Sequence, residues 1–105
     1  MKNSFNYGGC IVSKNILDNK GKLKWCFREE PVNELDNGWR FLSDIDTDEF
    51  LEEAENMNVC SWETIFNIEP AVMKISNLPI GTELILEYDS KRKYFVDSNT
   101  GKEIV

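Results

Sequence analysis

The sequence predicts a single α+β domain, a mainly antiparallel β-sheet with two or three short helices. Three observations predict it. Large apolar residues alternate with polar ones over 22–28, paired strand-like runs flank a polar turn near the C-terminus, and only short helix-compatible stretches, one broken by Pro70, lie between them. With 105 residues, 41% hydrophobic and 11% aromatic, the whole of 1–105 suits one core. A charged content of 30% is balanced by apolar residues spread along the chain, which sets it apart from a disordered composition.

In chain order, Gly8-Gly9 leads into Cys10-Ile11-Val12, a β-branched run read as a buried strand. Asp18 to Gly21 is a turn signal. After it the period of two aims Leu23, Trp25 and Phe27 at the core and gathers Lys22, Lys24 and Arg28 on the other face. Residues 29–38, EEPVNELDNG, read as an exposed acidic loop because Pro31 and Gly38 interrupt them. Trp39 to Leu42 form the next strand. Ser43 caps a short helix over 47–53, with Phe50, Leu51 and Ala54 facing inward.

Val59-Cys60 is a brief strand. Ser61 or Thr64 starts a helix through Ile65, Phe66 and Ile68, Pro70 stops it, and 71–75 continue as a second helical piece. Leu78 to Gly81 turn into strand 83–88, and the polar residues 89–92 return the chain into strand 93–96, a hairpin.

Composition excludes much chemistry. The chain contains no histidine, which removes Ser-His-Asp triads, Cys-His dyads, imidazole bases and His-ligated zinc. Cys10, Cys26 and Cys60 are isolated in apolar surroundings and suit reduced core thiols, without a CxxC motif or a disulfide framework. No phosphate-cradling glycine loop is present, since Gly8-Gly9 precedes a strand. The expectation is a non-enzymatic protein with no catalytic residue and no cofactor. No apolar run approaches the roughly 20 residues of a membrane span, and MKNSFNYGG has no apolar stretch of signal-peptide length, so a cytoplasmic location without membrane contact is expected.

The net charge of −7 is unevenly placed. Residues 1–28 carry six Lys or Arg and one acid, residues 29–69 carry thirteen acids and Arg40 alone, and residues 70–105 carry five of each sign. So negative a middle disfavours nucleic acid as partner and suits a basic protein surface. The N-terminal cations either neutralise the acidic block within the fold or leave it open to a partner.

Seven carboxylates fall within 44–55 without a cation. Asp44, Asp46, Asp48 and Glu55 match positions one, three, five and twelve of a calcium loop, but Glu49 stands where that loop turns on glycine, and a strand rather than a helix precedes it. No metal site is assigned on this basis. A contiguous hydrated run also lacks the enclosed setting of catalytic acid pairs. The remaining readings are a solvated helix face and a macromolecular interface. Trp39, beside Gly38 at the edge of the acidic loop, is a candidate interface anchor or a core residue; Trp25 reads as core, and Trp62 fits either place.

The stretches GGCIVSK at 8–14, GKLKWCFRE at 21–29 and DNGWRFLS at 36–43 resemble family thirty-three of the bacterial immunity proteins, with IEPAV at 68–72 and YFVD at 94–97 in support. The resemblance spans about residues 8–97. It departs at Asp44, where a small residue is expected after the serine. It implies a cytoplasmic bacterial protein that binds and blocks a cognate protein toxin, with nucleases among the possible targets. Joined to the charge pattern, it makes Trp39, Asp44, Asp46, Asp48, Glu49 and Glu52 the expected toxin-binding residues. The alternative is a non-catalytic regulatory or ligand-binding module, calcium-responsive in one form.

Overall fold

The computed structural model describes residues 7–104; Lys2, one of the N-terminal cations, lies outside them. Six strands form one sheet: β1 Gly9–Ser13, β2 Leu23–Arg28, β3 Asp36–Ser43, β4 Met57–Ser61, β5 Glu83–Tyr88 and β6 Lys93–Asp97. Their spatial order is β4-β1-β3-β2-β5-β6, with every neighbouring pair antiparallel except β1 and β3. Three short helices, α1 Lys14–Leu17, α2 Asp48–Glu52 and α3 Trp62–Ile68, and two 3-10 segments, Ala54–Asn56 and Pro70–Lys74, complete the α+β fold.

One face of the sheet is covered. Ile16 of α1, Trp62 and Ile65 of α3 and Val72 of the second 3-10 segment pack with Cys10, Val12, Trp39, Phe41, Leu84 and Leu86 from the strands. Trp39 and Phe41, two residues apart on β3, point the same way and stack at 6.1 Å, and Trp62 meets Phe41 at 5.7 Å. The Ser61 hydroxyl caps α3 by accepting from the Thr64 amide. Pro70 ends the α-helical path and begins the 3-10 segment, whose cap is Glu69. The Glu69 carboxylate is buried and accepts from Lys93 at 2.8 Å, joining the helical layer to β6.

The expected orientation of β2 is corrected. Leu23 and Cys26 are buried, whereas Trp25 is 40% exposed and Phe27 half-buried. Leu23 opposes Ser43 but Trp25 opposes Leu42, so the register slips at Lys24 and the residues beyond it change face. Trp25 and Phe27 therefore share the opposite side of the sheet with Leu42 and Arg40. The basic stripe is dispersed by the same slip. Arg28 turns toward the core side, 6.0 Å over the Trp39 ring, and donates to the carbonyls of Asn37 and Leu78. Lys24 pairs with Glu87 at 3.0 Å.

Two further boundaries move. β3 begins at Asp36 and not Trp39 because Asp36 and Asn37 close the turn onto backbone amides, shortening the loop to 29–35. Gly38 has φ +90°, and a Cβ there would collide with the Glu29 carbonyl, so only glycine fits the close β2–β3 approach. The helix expected over 47–53 spans Asp48–Glu52, capped by Thr47 instead of Ser43. At five residues it is too short to bury a face: Phe50 and Leu51 are half-buried outside the main core, and Ala54 is exposed.

Candidate functional site

The acidic segment leaves the end of β3 and returns to the sheet at the start of β4. Its first two aspartates are tied to the backbone, Asp44 while exposed and Asp46 half-buried. An Asp44 oxygen accepts from the Lys22 amide at 2.9 Å. Asp46 accepts four hydrogen bonds, from the hydroxyls of Ser13 at 2.9 Å and Ser43 at 2.6 Å, the Asn15 amide group at 2.8 Å and the Ser43 backbone at 2.7 Å. Both serines are fully buried. Burial acts to raise the Asp46 pKa, yet these donors outweigh it and hold the carboxyl below its ordinary value. Asp46 thus ties the ends of β1 and β3 and the start of α1 together.

Beyond this anchor, Asp48, Glu49 and Glu52 stand exposed on α2. Among the described residues no ion pair reaches any carboxylate of 44–55. Among the described residues none of the N-terminal cations Lys22, Lys24 and Arg28 forms an ion pair with the segment. No three acidic or cysteine side chains converge as a metal site requires, among the described residues. Trp39 is wholly buried and has no surface to offer a partner; it is the centre of the core.

The second acidic region, 29–36, is organised by Arg40. Its side chain is 4% exposed on the sheet face opposite the core and forks onto both oxygens of Asp36 at 2.8 Å. The Nε donates to Glu29 at 2.6 Å. Asp36 also accepts from the amides of Val32 and Gly38. The Arg40 hydrogen bonds hold the Asp36 carboxyl far below the usual carboxylate range, and the same pairing raises Arg40. Sequence reasoning passed over this site, although a lone cation among thirteen acids was its signal.

With the loop pinned in this way, Val32 and Leu35 are held outward, 74% and 79% exposed, beside Val59 of β4 at 80%. Together with Ile11 they line an apolar cleft of about 140 Å³ at the β4 edge of the sheet. The three side chains form a clustered apolar patch, the kind of surface feature that partners use. Burial and the neighbouring Cys60 push the Cys10 thiol up to about 12, and burial raises Cys26 and Cys60, so all three are biased toward the protonated thiol.

No helix of the described residues is long and apolar enough to cross a membrane. The family model described as the immunity protein Imm33 domain matches residues 10–96 of the chain. No curated protein and no solved structure matches it.

Proposed function

The chain belongs to the Imm33 immunity protein family, and from that premise we propose that it binds a cognate bacterial toxin domain in the cytoplasm and blocks it through an acidic surface. The observation that carries this reading is the absence of any internal ion pair to residues 44–55 among the described residues. Asp48, Glu49 and Glu52 are the carboxylates that meet basic residues of the toxin, while Asp44 and Asp46 hold the segment in place and Trp39 supports it from the core. A nuclease toxin fits well, because its cationic substrate groove accepts a carboxylate array in place of phosphates. The calcium-responsive alternative is less favoured, since Asp46 already has both carboxylate oxygens engaged by hydroxyls and amides.

The test uses a purified toxin domain, sought first in the adjacent reading frame. Replacing Asp48, Glu49 and Glu52 together by Lys should slow its association about tenfold or more at low salt, with a smaller effect at high salt. Equal association rates for the variant and the unaltered protein would remove α2 from the encounter.

A further inference from the structure

We propose that the apolar cleft formed by Val32, Leu35 and Val59 is the anchoring site for the toxin domain, receiving one bulky apolar side chain of a surface that is otherwise basic. This rests on the immunity reading above and adds a second contact to it. The three residues come from two segments distant in sequence, the acidic loop and the edge strand β4, and are among the most exposed large hydrophobics of the molecule. The loop fixes Val32 and Leu35: Arg40 clamps its two ends through Glu29 and Asp36, and the Leu35 carbonyl accepts from the Gly9 amide at 2.6 Å.

Charge identifies the occupant. Glu30 and Glu34, on the same loop, are exposed and make no ion pair among the described residues. An apolar cleft whose loop also carries these exposed carboxylates matches an apolar anchor flanked by Lys and Arg. The cleft and the acidic segment are also continuous, because β4 starts one residue after Asn56 and carries Val59. At about 3.3 Å per residue along an extended chain, Glu55 lies within roughly 13 Å of Val59. One toxin surface of ordinary interface size can therefore cover both. The two regions then divide the work, with α2 steering the encounter and the cleft retaining the bound partner.

The experiment compares two variants against the same purified toxin domain. Combining Val32→Ser, Leu35→Ala and Val59→Asn should accelerate dissociation about thirtyfold or more while leaving association nearly unchanged, the reverse of the α2 charge reversal. These side chains are exposed, and an unchanged melting temperature would show that the fold is intact. In hydrogen exchange of the unaltered complex, amides of 32–36 and 57–61 should gain protection. Wild-type dissociation of the triple variant, or protection confined to 47–56, would overturn the cleft proposal and leave the immunity reading standing. Failure of the unaltered protein to bind the toxin domain would overturn the immunity reading itself and the cleft's occupant with it. Self-association abolished by Val59→Asn would reassign the cleft to a second copy of this chain and overturn the proposal.

Discussion

The two acidic regions are built on opposite electrostatic plans. In 29–36 two of four carboxylates close on Arg40, so the charge is partly cancelled where it is held. In 44–55 the anchored aspartates are held by amides and hydroxyls, which fix a carboxylate without cancelling its charge. Seven negative charges therefore remain on a segment with no cation of its own. A count of acids cannot distinguish these cases. The nature of the donor decides whether a carboxylate clamps the backbone, projects a field, or, as at Asp46, does both.

The contrast can be broken most severely at its cationic end. Arg40→Ala leaves Asp36 buried without its counter-ion and should cost about 3–5 kcal/mol in urea denaturation; a loss under about 1 kcal/mol would mean that the loop does not depend on the clamp. Asp46→Ala comes next, at about 2–3 kcal/mol, because four donors lose a charged acceptor. Both carboxyls have folded pKa values below their unfolded ones. Their contribution is thus fully present above the unfolded value, about pH 4, and is lost as pH falls through the lower folded values. Stability measured from pH 5 down to pH 2 should decline, and Asp46→Asn should flatten that slope. Least affected is the exposed end of the segment. Neutralising Asp48, Glu49 and Glu52 to Asn and Gln should change stability by under about 1 kcal/mol, and a larger loss would reveal an internal partner for α2.

Much of the fold was legible because periodicity and turn chemistry are local. The 83–88 and 93–96 hairpin, the α3 helix capped at Ser61 and the break at Pro70 all follow from residues within one turn of each other. What escaped depends on pairing across the chain. The slip at Lys24 that exposes Trp25 is a property of the β2–β3 register, not of either strand alone. The parallel β1–β3 pair and the short α1 after Ser13 were likewise unread. At the site, charge density drew attention to 44–55 but could not separate Asp46, which faces buried serines, from Asp48, which faces water. Nor could it show that Trp39, next to a loop in sequence, is fully buried in space.

The edge position of β4 has a bearing on how the protein coexists with itself. A terminal strand offers unpaired backbone groups to any passing strand, including the same strand of another copy, and β4 carries neither Lys nor Pro to discourage it. Two positions beyond each of its ends stands an acid, Glu55 before it and Glu63 after it. Two copies zipping together in antiparallel fashion would bring Glu55 of one near Glu63 of the other at both ends. Like-charge repulsion at the ends of a five-residue edge would oppose such pairing at neutral pH and favour a cationic stranger over the twin.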